Sequence, residues 1–275
     1  MARDADHRPR CVVWAGSSVF VIAAGVALLG PLLAPYDPRL VSGLPLLPPG
    51  GAHLLGTNDI GQDILSQWLW ATRSSLLVAA AVTLLSTALS WAIGLAAGFW
   101  RRAEAPLMAL TDLLLALPSL LLYLLVVVLL GPSRLHVVLT LGLLSWPDFA
   151  RVIRAQVIAT RSDPHVEAAQ ALGAPPLRVA MRHVMPATYA LLPAKLALTV
   201  RFALFADATL AFLGLGDPAS QSWGAMLGVA FNDPLLFVGH AWLWWTLAIA
   251  LAIALVVLAT TWLATDVGVK RERTA

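Results

Sequence analysis

The chain has 275 residues, of which 59% are hydrophobic and only 12% are charged. About a quarter of the residues of a soluble domain are charged, so the composition excludes a water-soluble fold. A net charge of +3 is too small to indicate nucleic-acid binding, and the single cysteine, Cys11, excludes an internal disulfide and a multi-cysteine metal site.

Long apolar runs predict membrane-spanning helices, because about 20 apolar residues cover a hydrocarbon core of roughly 30 Å. Six spans are predicted, which makes the chain an all-α integral membrane protein. Their predicted bounds are 12–34, 74–99, 106–130, 135–158, 187–213 and 241–264. The first run follows arginines but is too long for a typical signal peptide, so we expect an uncleaved helix.

The two sides of these spans differ in lysine and arginine content, and the richer side is expected to face the cytoplasm. Basic residues collect in the segment 1–11, in the loop 159–186 and in the tail 266–275, and also at Arg101 and Arg102. Both termini are therefore predicted to be cytoplasmic. The outer segments are then 35–73, 131–134 and 214–240.

Three of the charged residues inside predicted spans need an account, because a charge costs about 2.5–3.5 kcal/mol at the centre of a helix. They are Asp112, Arg201 and Asp207. Arg201 and Asp207 either face a polar translocation path or belong to a structural pair, in which Arg201 contacts Asp112 or Asp207. Lys195 lies nearer the cytoplasmic end, from which its side chain can reach the membrane surface. Pro118 is expected to kink the third span and so shape the path. The candidate residues of the translocation path are therefore Asp112, Pro118, Arg201 and Asp207.

The loop between the fourth and fifth spans encodes two short helices. Asp163 can cap a helix that starts at Pro164, because its side chain can accept from free N–H groups and proline is favoured in a first turn. Gly173 can adopt the left-handed conformation that ends a helix. A second helix then runs from Pro176 to about His183. We therefore expect a rigid projection into the cytoplasm rather than a solvated loop.

The same loop carries a motif that identifies a family. Its residues are Glu167, Ala168, Ala169, Gly173, Arg182, His183 and Pro186. They resemble the EAA loop of ABC-importer permeases, which couples ATP hydrolysis to movement in the membrane. The chain has no G-x-x-x-x-G-K-[ST] phosphate loop, so the resemblance implies that separate subunits hydrolyse ATP.

The resemblance implies the type I ABC-importer permease fold. In this fold the cytoplasmic segment 1–11 and the first helix, 12–34, precede an external proline- and glycine-rich segment at 35–73. Residues 74–265 then form a five-helix core that contains the coupling loop 159–186, and the cytoplasmic tail follows at 266–275.

Outer segments carry further marks of the dipeptide, oligopeptide and nickel permeases. Residues 54–77 are similar to the LGTDxxGRDxxSR segment of that family, and residues 222–227 are similar to its SWGxML segment. We group the main matches as an outer motif of Gly56, Thr57, Gly61, Asp63, Trp223 and Gly224. This motif either serves a docking surface or merely seats the second span.

The chain also departs from the family. Asn58 stands where relatives usually have Asp, and Gln62 and Gln67 stand where they have Arg. These changes remove charge, so ion pairs at these positions are not expected here. The tail 266–275 retains only a remnant of the family's C-terminal stretch, so we expect no defined ATPase contact from it.

The resemblance implies a permease subunit of an ATP-driven importer, forming half of a translocation pathway in the bacterial inner membrane. The expected partners are a second homologous permease, two ABC ATPase subunits that hold ATP and magnesium, and an external solute-binding protein. No cofactor is expected in this chain itself. Peptides are the expected cargo, with nickel or a metal chelate as the alternative.

Two other classes of function compete with this interpretation. An ion-gradient-driven secondary transporter would account for the charges in the membrane, but it would not account for the coupling loop. An enzyme would need a nucleophile–base pair, and no convincing set of catalytic residues is present. The six histidines are scattered along the chain, which argues against a metal site.

Overall fold

The structure, a computed structural model, describes residues 8–237 and 240–272, without the side chains of residues 8–17, 20 and 263–272. This part of the chain is helical apart from turns, loops and two isolated β-bridges between the first two long helices. The predicted all-α fold is confirmed.

The α-helices of the described residues are numbered along the chain. They are α1 (Arg8–Leu33), α2 (Ile64–Phe99), α3 (Arg101–Ala116), α4 (Ser119–Leu130), α5 (Arg134–Leu144), α6 (Pro147–Arg161), α7 (Pro164–Ala171), α8 (Pro176–Val179), α9 (Met185–Thr188), α10 (Leu192–Phe212), α11 (Trp223–Asn232), α12 (Ala241–Trp245) and α13 (Leu247–Glu272). A π-helical turn, Ala180–Val184, joins α8 to α9, and a 3₁₀ turn, Tyr189–Leu191, joins α9 to α10.

Several of these helices are long and apolar enough to cross a membrane. In the described residues they are Ile64–Phe99, Pro176–Phe212 and Ala241–Trp262, and α3 with α4 makes a fourth if the bent pair is one span. The first predicted span contributes only the shorter apolar helix Val21–Leu33 to this set. The multi-spanning character is confirmed, whereas the total of six spans stays a prediction.

The second predicted span begins ten residues too late, because helix α2 starts at Ile64 rather than at residue 74. Asp63 sets this start: its Oδ2 accepts a hydrogen bond from the backbone N–H of Ser66 at 2.8 Å, which is an N-cap interaction. Residues 64–73 therefore form the first turns of α2.

The fourth predicted span is divided, since α5 ends at Leu144 and α6 begins at Pro147. Proline lacks an N–H group and clashes with the preceding turn, so it starts a helix more readily than it continues one. Ser86 and Ser90 of α2 donate hydrogen bonds to the carbonyl oxygens exposed at this break, at 3.1 and 3.0 Å.

The third predicted span bends by 90° between α3 and α4. Pro118 causes the break, as predicted, because the residue before a proline is driven out of the helical region. Leu117 has φ −89° and ψ 139°, an extended conformation.

The fifth predicted span is continuous with the short helix before it. Helix α8 passes through the π turn into α9 and α10, so the predicted end near His183 is wrong. In the π turn the N–H of Met185 donates to the carbonyl oxygen of Ala180. We attribute the wider turn to Pro186. Proline has no N–H group to donate and its ring crowds the preceding turn, and the wider π turn gives that ring room.

The ends of the chain extend beyond the predicted spans. Helix α1 begins at Arg8 and α13 reaches Glu272. The rest of the predicted terminal segments, 1–7 and 273–275, lies outside the described residues, and so does the side chain of Cys11.

Helix α2 is the centre of the bundle and packs against α1, α5, α6 and α10. Its closest approach, to α6, depends on Gly94 and Gly98. A Cβ atom on Gly94 would lie 2.7 Å from Cβ of Ile153, and one on Gly98 would lie 2.6 Å from Cγ1 of Val157. Such small-xxx-small spacing lets two helix backbones approach closely in a membrane.

Two apolar clusters result from this packing. The larger joins the outer half of α2 with α5, α10, α11 and α13, around Trp223 and Trp245. The smaller lies at the predicted cytoplasmic end, where Trp91 and Phe99 of α2 meet α6 and the loop that follows it. The second cluster fixes the loop to the bundle.

We predict that Gly98→Val weakens the bundle by roughly 1–3 kcal/mol, because the added carbons would have to displace Val157 in a packed interface. The measurement is the apparent melting temperature of the detergent-purified protein, which should fall. Gly25→Ala in α1 is the matched control, since nothing lies within 4 Å of the added carbon. Equal melting temperatures for both variants would contradict the assignment of this contact.

Candidate functional site

The loop after α6 forms a projection that is held to the bundle through the smaller apolar cluster. We call α7, the turn at Gly173 and α8 the knob. Val166 of α7 is fully buried, and it packs in the smaller cluster with Ile153 and Val157 of α6. Val179 of α8 is buried in the same cluster, so both helices of the knob are held against the bundle.

The turn of the knob is the predicted glycine turn. Gly173 has φ +79°, a left-handed conformation that disfavours other residues. The N–H of Ala174 donates to the carbonyl oxygen of Ala169 at 3.1 Å, and the N–H of Gly173 donates to Gln170 at 2.9 Å. This pair of bonds is a Schellman motif, which satisfies the last carbonyls of α7.

The start of the knob differs from the prediction in one respect. The side chain of Asp163 makes no capping hydrogen bond. Its backbone carbonyl oxygen instead accepts from the N–H groups of Val166 and Glu167, at 2.9 and 3.1 Å. Pro164 occupies the first helical position, as predicted.

The knob presents an exposed surface with apolar residues at its centre. Leu172 is 89% exposed, Leu177 62% and Met181 50%. Glu167, Ala168 and Arg178 are exposed on the same knob, which therefore combines apolar, small and charged groups. A few exposed leucines around small residues are what a helix in a partner's groove requires.

The remaining predicted coupling residues lie around this surface. Ala169 and His183 are half-buried, whereas Gly173, Arg182 and Pro186 are exposed. The His183 ring lies 6.3 Å from the ring of His165, which brings the π turn next to the start of α7. The predicted coupling residues thus lie on the knob and on the turn and helix that follow it, although sequence reasoning missed Val166 as the anchor.

The outer motif is buried rather than exposed. Its six residues, Gly56, Thr57, Gly61, Asp63, Trp223 and Gly224, all lie beneath the surface. We call residues 35–63 together with α11 the outer cap. The burial supports the interpretation that the motif seats α2, and it leaves other residues of the cap to meet any partner.

Each member of the motif has a structural task in the cap. Asp63 pairs through Oδ1 with Nδ1 of His53 at 2.9 Å while it caps α2 through Oδ2. Thr57 donates from Oγ1 to the carbonyl oxygen of Leu44 at 2.6 Å. Gly56 and Gly61 have φ +74° and +83°, and a Cβ atom on either would collide with a backbone carbonyl oxygen.

The second half of the motif fastens α11 onto the bundle. Trp223 donates from Nε1 to Oγ1 of Thr72 at 3.2 Å, and from its backbone N–H to Oγ of Ser75 at the same distance. Gly224 lies against the backbone of Ala208 in α10, where no side chain fits. The two halves of the motif thus meet on the outer turns of α2.

The three positions that depart from the family pattern contact one another. Asn58 Nδ2 donates to Gln62 Oε1 at 3.0 Å, and Gln67 Nε2 donates to the same oxygen at 2.6 Å. Gln62 Nε2 in turn donates to the carbonyl oxygen of Arg39 at 2.9 Å. A chain of neutral amides therefore joins these positions.

The charged residues of the predicted spans do not form the pairs considered from the sequence. Asp112 of α3 pairs with Arg151 of α6, and both are at least half exposed. Arg201 is exposed and makes no ion pair among the described residues. Asp207 is buried near Arg134 of α5. The proposed structural pair of Arg201 with Asp112 or Asp207 is wrong.

A cavity of about 450 Å³ opens between the two helix breaks. We call it the break cavity. Its polar lining comes from Ser119, Tyr123, Ser145, Asp148, Lys195 and Thr199, and its apolar lining includes Leu117, Phe149 and Phe202. None of the four predicted path residues is among the lining residues, but Leu117 and Ser119, the neighbours of Pro118 in the chain, are.

Lys195 is the residue of this cavity that sequence reasoning misjudged. The side chain is only 3% exposed and does not extend to the membrane surface. Its Nζ donates to Ser86 Oγ at 3.0 Å, and Ser86 donates onward to the carbonyl oxygen of Ser145. A lysine in the middle of an apolar run was the sequence signal for a buried polar site. Lys195 stays buried because Ser86, which binds the helix break at Ser145, also accepts its hydrogen bond.

Asp59 of the outer cap interacts electrostatically with Asp233, the residue that follows α11. Asp59 Oδ1 and Asp233 Oδ2 are buried atoms without a hydrogen-bond partner among the described residues. Burial raises the pKa of Asp59 above its ordinary value, and the charge of Asp233 raises it further. Folding therefore makes the carboxyl group of Asp59 easier to protonate than it is in the unfolded chain.

Comparison with known proteins identifies relatives over most of the chain. Residues 88–267 match the family described as binding-protein-dependent transport system inner membrane component. A putative peptide transport system permease protein of Brucella suis is 35% identical over 214 residues, which is 77% of this chain and 72% of the relative.

Two further relatives cover more of the chain. A di/tripeptide transport system permease protein of Pseudomonas aeruginosa is 37% identical over 85% of this chain and 78% of its own length. A glutathione transport system permease protein of Pectobacterium atrosepticum is 31% identical over 90% of this chain and 82% of its own length. The family match includes the knob and the break cavity.

We predict that Asp59→Asn stabilises the protein at pH 7 but not at pH 3.5. Because folding raises the pKa of Asp59, the stability that this group contributes is present below its unfolded pKa, about 3.9, and is lost as the pH rises through the folded value. The gain is at most about 0.5 kcal/mol, since solvent screens the pair.

The melting temperature of each variant, measured at both pH values, checks this prediction. Asp233→Asn should give a smaller gain, since it removes the repulsion but leaves the carboxylate of Asp59 buried. The double variant should gain less than the sum of the two, because either change removes the same repulsion. Additive gains would contradict the pairing.

Proposed function

Because the chain belongs to the family of inner membrane components of binding-protein-dependent transport systems, we propose that it forms half of the translocation pathway of an ATP-driven importer of short peptides. It is a multi-pass inner-membrane protein in which the knob receives force from a nucleotide-driven partner. Membership of this family favours an ATP-driven importer over the ion-gradient-driven secondary transporter.

The proposed cargo follows from the relatives. The proteins of Brucella suis, Pseudomonas aeruginosa and Pectobacterium atrosepticum are named for peptides, for di- and tripeptides and for glutathione. Di- and tripeptides and glutathione are short peptides with free carboxylate groups. This agreement favours peptides over nickel or a metal chelate as the cargo of this chain.

The single observation that carries the coupling role is the shape of the knob. Buried Val166 and Val179 hold it to the bundle, while Leu172 at its tip is 89% exposed. A side chain so exposed contributes little to the stability of the chain itself. Its position supports a contact with another polypeptide that grips the knob.

The proposed cycle uses this contact. Two ATPase subunits, which would hold ATP and magnesium, close upon nucleotide binding and draw together the knobs of this chain and of a second, homologous permease. Since α8 continues into α10, movement of the knob passes directly into the bundle. The two permeases rock from an inward-open to an outward-open state, and hydrolysis resets them.

The outer cap is the proposed contact for a solute-binding protein that delivers the peptide. The excess of lysine and arginine at the opposite end supports an outer location for the cap. Because the outer motif is buried, exposed side chains such as Leu54, 65% exposed, and Ile60, 53% exposed, are the proposed contacts.

We predict that Leu172→Asp lowers both ATPase-subunit binding and ATP-dependent peptide uptake by about tenfold or more, because a charge would replace an apolar group at the centre of the contact. The measurements are the ATPase subunits retained on affinity purification and the uptake of a radiolabelled dipeptide into proteoliposomes. Folding should be unchanged, since the side chain is exposed.

Leu54→Asp is the matched control, because it places the same change on an exposed leucine at the other end of the protein. It should leave ATPase subunits bound. If Leu172→Asp retains the ATPase subunits as fully as Leu54→Asp does, the knob is not the coupling surface.

A further inference from the structure

The break cavity lies where two membrane segments lose their helical structure. Leu117 and Ser119 line it at the break between α3 and α4, and Ser145 and Pro147 line it at the break between α5 and α6. Non-helical backbone is tolerated at membrane depth where it lines a cavity or a protein interior. Both breaks open onto one space, which therefore combines freed backbone groups with polar side chains.

The cavity holds a buried cation with few partners. Lys195 is 97% removed from solvent, and Nζ donates to Ser86 Oγ and lies 5.3 Å from the ring centroid of Phe149. No ion pair of Lys195 occurs among the described side chains. An ammonium group has three donors, so two remain available. A buried charge in this situation is costly unless a ligand or another subunit compensates it.

The cavity also holds an anion. Asp148 lines the same space, is exposed to it, and interacts electrostatically with Lys195 although the two form no ion pair. The cation and the anion therefore line one space without direct contact between them. A ligand that carries both charges at its ends can satisfy both residues at once.

We propose that the break cavity binds a short zwitterionic peptide, with Lys195 holding its terminal carboxylate and Asp148 holding its terminal ammonium group. The charged ends of an extended dipeptide are up to about 7 Å apart, so the two ends can contact two different residues of the cavity. The cavity volume of about 450 Å³ lies within the range of small-molecule sites, roughly 300–1,000 Å³. The assignment rests on the proposed peptide-import function and gives that function a site inside the membrane.

The helix ends favour the same orientation of charge. Helices α4 and α6 both begin at the cavity, with Ser119 and Pro147 in their first turns. The N-terminal end of a helix carries a partial positive charge, which adds to the attraction that Lys195 exerts on a carboxylate. Asp148, in the first turn of α6, is negatively charged and therefore attracts an ammonium group at this otherwise positive end of the helix.

The test measures peptide binding to the purified assembly of both permeases and ATPases in nanodiscs, without the solute-binding protein. The probes are radiolabelled dialanine, dialanine C-terminal amide and N-acetyl-dialanine. The wild-type assembly should bind dialanine at least tenfold more tightly than either blocked peptide, because each blocked peptide leaves one charge of the cavity unpaired.

The variants assign each charge to one residue. Lys195→Met should weaken dialanine binding about tenfold and abolish the preference over the amide, whereas Lys195→Arg should retain that preference. Asp148→Asn should abolish only the preference over the acetylated peptide. This pattern is specific to recognition, since a purely structural lysine would alter the melting temperature without changing either ratio.

The outcomes separate this assignment from the proposed function. If wild-type protein imports dialanine with ATP but binds all three probes equally, or if the Lys195 and Asp148 variants keep both preferences, the cavity assignment is wrong while the import function stands. If no peptide is imported, the proposed function is wrong, and the binding ratios of the wild-type protein still decide the cavity. The comparison of blocked peptides requires no variant, so a misfolded variant does not prevent a decision.

Discussion

The close contact between α2 and α6 is the constraint on which the rest of the structure depends. Gly94 and Gly98 allow the two backbones to approach, and Ile153 and Val157 fill the space that side chains would occupy. The apolar cluster that starts at this contact extends to Val166 and Val179 of the knob. The position of the knob is therefore set by packing inside the membrane, and the loop itself needs few contacts of its own.

Helix α2 serves a second purpose, because its polar residues satisfy backbone groups that the broken helices release. Ser86 and Ser90 donate to the carbonyl oxygens of Ser145 and Trp146, and Ser86 also accepts from Lys195. A carbonyl left unpaired at membrane depth would cost several kcal/mol. The serines of one unbroken helix thus make a break in another helix tolerable, and that break creates the cavity.

The fold class and the knob could be predicted from the sequence, because apolar runs and the spacing of Pro164, Gly173 and Pro176 reflect local physics. The bounds of α2 and the continuity of the fifth span could not. The start of α2 depends on the fold of the outer cap around Asp63, and helix continuity past Pro186 depends on a π turn that no single residue type signals. Pairing was the least predictable, since the partner of Asp112 lies 39 positions away, at Arg151.

The π turn at Ala180–Val184 has a consequence for helical phase. A π turn contains one residue more than an α-helical turn, and each residue of a helix advances the side-chain direction by about 100°. Deleting one residue here would convert the segment to ordinary α-helix and leave later side chains near their present directions, because the wider turn already holds one additional residue. Deleting one residue from the α-helical stretch between this turn and Lys195 would instead rotate Lys195 by about 100° and take it out of the cavity. A single-residue deletion should therefore be tolerated better within Ala180–Val184 than in the helix that follows it.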